Sequence, residues 1–220
     1  MCFSASANFV GSAVLGTIGV ATLTEVKHRR ELLFAGLPCL FALHQFTEGF
    51  VWLGLDHKLS PAVLHGAAAA YVLYAQGLLP FLLPFSVLLI EPTRLRRRRM
   101  FWFLTLGTLL TLYILWGLIM APLQVYAVGH SVVYNNPLTT TKIVAVLYVI
   151  ATCGALFFSG YRDLVILGWL NLIGLLIVML VKSYAFTSIW CAYAAVVSIV
   201  IYFFFRRSRP SRPAKYIFAT

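Results

Sequence analysis

LPCLFALHQFTEGFVWLGL, residues 37–55, decides how this chain is to be read. Basic residues Arg29 and Arg30 precede it and Asp56 and Lys58 follow it, but within it the only acid is Glu48. A bilayer core of about 30 Å takes roughly 20 predominantly apolar residues as one helix, and the stretch from 31 to 55 meets that length. The rest of the chain decides between a membrane span and a buried core helix. Hydrophobic residues make up 61% of the 220 and charged ones 10%, with a mean hydropathy of +0.91. Soluble domains are nearer half apolar and about a quarter charged, so a soluble globule and a disordered chain are both excluded.

Breaking the chain at its charges and prolines gives seven spans, at about 3–26, 31–55, 62–90, 100–121, 141–160, 164–182 and 187–205. The prediction is an all-α bundle of seven transmembrane helices in one domain, residues 1–205, followed by a basic tail, 206–220. The third span carries Pro80 and Pro84 and is expected to kink or tilt. Pro122–Thr140 is left as a long solvated loop. The opening residues lack the basic start and the cleavage site of a signal peptide, so the first span is expected to be retained.

The charges orient the bundle. Of 17 Lys and Arg, fourteen fall in alternate connectors and the tail: Lys27, Arg29, Arg30, Arg94, Arg96, Arg97, Arg98, Arg99, Arg162, Arg206, Arg207, Arg209, Arg212 and Lys215. Lys58, Lys142 and Lys182 fall on the other side. Basic loops stay in the cytoplasm, so the N-terminus is expected outside and the C-terminus inside, in a bacterial inner membrane. The net charge of +11 is then explained by topology and by contact with anionic lipid headgroups at the cytoplasmic face; no nucleic-acid-binding motif accompanies it. Gly11, Gly16 and Gly19 space small residues for close helix packing. Cys39 and Cys153 read as packing residues, Gln76 and Asn171 as interhelical hydrogen-bonders, and Trp52, Trp102 and Trp190 as part of an interfacial belt.

Five of six acids (Glu25, Glu31, Asp56, Glu91 and Asp163) fall at or near predicted helix ends, within reach of water. Glu48 does not. At ~1.5 Å per residue it lies ~25 Å along the second span, in the outer third. An ionisable group at that depth normally faces the bundle interior and has a partner. His44 precedes it by four residues and shares its helix face, with Gln45 and Trp52 beside them. The outer half also receives His65, His130, Cys2, Ser4, Trp190 and Cys191.

Three readings stand open for this cluster. His44 and Glu48 form an i,i+4 pair of metal ligands, completed by Cys2, His65, His130 or Cys191, holding zinc or another transition metal. Glu48 is then a ligand or the general base, and the chemistry is hydrolysis of a lipid or small amphiphile entering from the outer leaflet. The second reading is redox, through Cys2 and Cys191 with a quinone, or through a haem held by His44. The third is non-enzymatic: a hydrogen-bonded pair, or a transporter or receptor-like bundle using Glu48 for proton or cation coupling.

The opening MCFSASANFVGSAVLGTIGV, the segment LPCLFALHQFTEGFVWLGL and the late SIWCAYAA resemble a family of bacterial multi-pass membrane proteins. Its members begin Met-Cys-Phe-Ser-Ala and carry His-Gln-x-x-Glu-Gly-x-x-Trp in the second helix. That resemblance implies no particular activity. It draws attention to Cys2, Ser4, His44, Gln45, Glu48, Trp190 and Cys191. In helix number alone the chain is also similar to the seven-helix hydrolases related to alkaline ceramidases and adiponectin receptors. Those hold zinc through histidines that include a late HxxxH pair; here no histidine follows His130.

Overall fold

The computed structural model describes residues 4–129, 131–181 and 186–207, apart from the side chains of 175, 177–181 and 186–192. Ser4 opens the first helix, its hydroxyl accepting the Ala7 N–H at 3.3 Å, and α1 runs Ala5–Leu23. A single 3-10 turn, Arg29–Glu31, leads through α2 (Leu32–Ala35) into α3 (Leu37–Leu55). α1 and α3 lie against one another because glycines clear the way. Gly11 faces Gln45, Gly16 faces Ala42 and Gly19 faces Cys39, where a Cβ would strike the cysteine backbone. Ser12 seals the pair by donating to the Ala42 carbonyl at 2.8 Å.

Pro61 starts the next rod, α4 (Pro61–Val72), a π-helical turn (Leu73–Leu78) and α5 (Leu79–Ile90). The expected irregularity is therefore a π turn, and its chemistry is visible. Pro80 has no N–H for the Gln76 carbonyl, and Pro84 has none for the Pro80 carbonyl. The widened turn offers the Gly77 carbonyl to Thr111, whose hydroxyl donates to it at 2.7 Å. The Pro80 carbonyl instead faces Gly107, where no side chain would fit. Both contacts join this rod to α6 (Arg94–Met120).

Pro122–Thr140, expected as an open loop, contains an antiparallel hairpin of β1 (Gln124–Val128) and β2 (Ser131–Asn135), so the description as purely helical needs this correction. Gly129 takes φ +61° in the left-handed region and allows the tight reversal. Val132 and Tyr134 alternate inward and are buried, while β1 is mostly exposed. Asn136 pins the hairpin to α6: its amide donates to the carbonyls of Gly117 (3.1 Å) and Ala121 (3.2 Å). Thr141 then caps α7 (Lys142–Phe157), followed by α8 (Arg162–Val181) and α9 (Phe186–Arg207), which packs back on α1 and α3.

Two acids expected at wet helix ends are instead buried, Glu31 at 6% and Glu91 at 3% exposure. Backbone donors explain it. Glu31 accepts the N–H groups of Lys27 (3.1 Å) and His28 (3.3 Å). Glu91 accepts the Gly160 N–H at 2.8 Å and the Ser159 hydroxyl at 3.3 Å, tying the α5–α6 junction to the α7–α8 turn. Backbone N–H groups aimed at a carboxylate stabilise its charge where water does not reach.

Among the described residues, three helical stretches are long and apolar enough to cross a bilayer: Ala5–Leu23 with 19 residues, Pro61–Ile90 with 30 and Arg94–Met120 with 27. They mark the chain as a membrane protein. One buried cluster gathers Phe34, Leu37, Met100, Leu156 and Phe204 toward the arginine-rich end of α6. A smaller one joins Val51, Trp52, Tyr71, Val132 and Tyr134 at the end that carries the hairpin.

Candidate functional site

α3 carries its polar residues on one buried face. His44 is 7% exposed, Gln45 2% and Glu48 0%. The spacing of four residues puts His44 and Glu48 one above the other, and Glu48 lies ~10 Å before the helix ends at Leu55. Polar side chains on a buried face need partners, and for Gln45 the partner comes from α1. Its amide donates to the Asn8 side-chain oxygen at 2.7 Å, and Asn8 donates in turn to the Ser4 carbonyl at 3.0 Å. Ser4, Asn8 and Gln45 thus form one hydrogen-bonded line from the end of α1 to the α3 face. Gly11 allows it by leaving space for the Gln45 side chain.

The other side of the face is aromatic. Tyr71 of α4 stacks on the His44 ring, with centroids 3.9 Å apart and planes inclined by 19°. Tyr134 of the hairpin stacks on Tyr71 at 4.5 Å and 17°. Tyr74, in the π turn, lies 4.8 Å from the His44 ring. The histidine is therefore roofed by three elements: α4, the π turn and, through Tyr71, the hairpin. Stacking occupies the faces of an imidazole and leaves its in-plane nitrogens for hydrogen bonding or ligation. Among the described residues neither His44 nitrogen meets a hydrogen-bond partner, although both are buried. Buried polar atoms in native structures are nearly always satisfied, which sets these two nitrogens apart.

The expected site residues divide accordingly. His44, Gln45, Glu48 and Ser4 belong to one neighbourhood. His65 does not: it is exposed on α4, with its Nδ1 2.8 Å from the Pro61 carbonyl one turn back. Cys2 and His130 lie outside the described residues. Trp190 and Cys191 lie within α9, but their side chains are outside the described set. Among the described residues, no three His, Cys, Asp or Glu side chains converge as a ready metal cluster. A metal on His44 and Glu48 would draw its remaining ligands from beyond them. The pair itself fits such an ion: one imidazole with unpartnered nitrogens, and one carboxylate a turn away.

Asn8, Tyr71 and Tyr74 were not singled out from the sequence as part of this site. Asn8 carries a signal, being an amide one helical turn after Ser4 in an apolar helix. The tyrosines carry none, since 11 are spread along the chain and only helix placement selects these.

No curated protein and no solved structure matches the chain. Over residues 1–216 it matches the family of unknown function DUF6629, and the chain belongs to that family.

Proposed function

We propose, for this member of a family without assigned activity, a seven-span protein of the bacterial inner membrane with a ligand site at His44 and Glu48 that opens outward. Helices α3, α7, α8 and α9 fall on the four spans that remain after the three long apolar stretches, which supports seven crossings. The excess of Lys and Arg at the opposite end supports placing the hairpin outside.

The observation that carries the reading is the His44 imidazole, buried, its nitrogens unpartnered among the described residues, one turn from a wholly buried carboxylate. The ligand that suits this pair is a transition metal such as zinc. His44 and Glu48 would hold it, with Cys2, His130 or Cys191 as completing groups and His65 only after α4 moves. A bound zinc supplies Lewis acidity and an activated water for hydrolysis of a lipid or small amphiphile. This chain's own contribution is placement. Tyr71 fixes the imidazole plane, the Ser4–Asn8–Gln45 line holds the neighbouring turn of α3, and the hairpin keeps bulk water off. Glu48, as ligand or general base, is the residue whose charge the site is built around.

Elemental analysis of the detergent-purified protein tests this. About one transition-metal ion per chain is expected, lost in both H44A and E48Q. A folded wild type without metal overturns the metal assignment. A second reading then rests on the complete burial of Glu48: a carrier in which this carboxylate couples to a proton or cation. It requires pH-dependent uptake into proteoliposomes that disappears in E48Q.

A further inference from the structure

The opposite end of the molecule holds a feature that the His44–Glu48 site does not use. Arg97 and Arg98 on the first turns of α6, with Phe101 and Trp102 one turn further on, line an open groove of about 500 Å³ together with Leu88 of α5. The i,i+4 spacing sets Arg97 above Phe101 and Arg98 above Trp102, so a cationic rim lies over an apolar floor. Phe101 and Trp102 are 59% and 74% exposed, at the point where the apolar run of α6 begins. On a helix that crosses a membrane this is the level of the headgroups.

The arginines of this end are not equivalent. Arg96 turns toward Gly160, beside the Glu91 carboxylate. Arg206 donates to the Tyr202 hydroxyl at 3.1 Å, and Arg207 lies over the Phe203 ring at 5.6 Å. Glu91, the nearest acid in sequence, is turned inward onto Ser159 and Gly160. Among the described residues no carboxylate pairs with Arg97 or Arg98. Two guanidinium groups thus stand uncompensated over a groove with an apolar floor.

The geometry points to a binding site in this groove for an anionic phospholipid, with Arg97 and Arg98 on the phosphate and Leu88, Phe101 and Trp102 along the upper acyl chain. Charge complementarity selects the phosphate, and guanidinium forks suit its oxygens better than ammonium groups do. The apolar floor selects a lipid over a free anion, and the position at the membrane surface supplies it from the bilayer. To a nucleic acid the groove itself offers only Arg97 and Arg98, over an apolar floor that suits an acyl chain.

Native mass spectrometry of the full-length protein, released from mixed phosphatidylglycerol and phosphatidylcholine, reads the site directly. Wild type is expected to retain phosphatidylglycerol selectively. R97Q/R98Q is expected to bind it roughly tenfold more weakly, from about 1 kcal/mol per basic residue near the surface with part retained by neighbours. R206Q/R207Q removes the same charge and is expected to keep the lipid. Equal losses in both pairs, or no preference in wild type, overturn the site in favour of diffuse attraction. Displacement by millimolar inorganic phosphate overturns the lipid assignment. Should R97Q/R98Q fail to fold, wild type and W102F decide the matter. Brominated phosphatidylglycerol, dilute in phosphatidylcholine, must quench the Trp102 contribution more than brominated phosphatidylcholine at the same fraction; equal quenching overturns the proposal.

Discussion

Removing the side-chain amide of Asn8 leaves the Gln45 N–H group, at a position 2% exposed, without its 2.7 Å acceptor. An unsatisfied buried donor costs about 1–3 kcal/mol, so N8A is expected to lower the thermal midpoint in detergent by several degrees without altering helix content. The double variant N8A/Q45A, which removes both partners, is expected to lose less than the sum of the two single variants; strictly additive losses would show that the bond contributes nothing. At Gly19 the reason is shape: an alanine methyl would meet the Cys39 backbone, and G19A is expected to push α1 from α3 at about 1–3 kcal/mol. His44, Gln45 and Glu48 were legible beforehand because polar residues deep in an apolar stretch have few innocent explanations. Glu31 and Glu91 misled for the converse reason. A helix end reads as wet, and nothing in the sequence announces that backbone amides from Gly160 or Lys27 will enclose the carboxylate. The stacking of His44 on Tyr71, with Tyr74 beside it, was illegible, since helices apolar on nearly every side give no pattern from which to read their neighbours.

Among the elements, the hairpin was hidden by its composition. Pro122, Gly129 and Asn135-Asn136-Pro137 are turn residues, and five-residue strands between them carry too short an alternation to stand out. Its attachment depends on one side chain. Asn136 donates to two carbonyls at the end of α6 and accepts the N–H groups of Leu138 and Thr139 at 3.0 and 3.1 Å. N136A is expected to raise amide hydrogen exchange across residues 122–140 at least tenfold while α6 below Gly117 stays protected. Exchange unchanged in that segment would mean that Tyr134 and Val132 alone keep the strands seated. Where α5 meets α6 the constraint is harsher, since Gly107 lies directly against the Pro80 carbonyl. G107A is expected to destabilise by about 1–3 kcal/mol, read as faster proteolysis in detergent.

For the molecule as a whole, a split of basic residues between two ends predicts which cysteines a membrane-impermeant thiol reagent will reach in intact cells. K58C and K142C are expected to be labelled from outside, and R98C and R162C only after lysis; labelling of R162C in intact cells would remove the seven-span arrangement. The long apolar rods were readable because bilayer thickness imposes a length that no other constraint mimics. Their packing order was not, because loops of similar length permit several. The π turn at Leu73–Leu78 adds a consequence for how such a chain tolerates change in length. A π turn is an α-helix holding one surplus residue. Deleting one of the six would close the turn to a regular helix, and the helices on either side would keep their mutual phase. A deletion in the regular turns of Leu79–Ile90 has no such slack and would swing everything before it by about 100° around the axis, taking Tyr71 off the His44 ring and out of the Tyr134 stack. A single-codon deletion should therefore be absorbed within Leu73–Leu78 and should silence the site when made one or two turns further on.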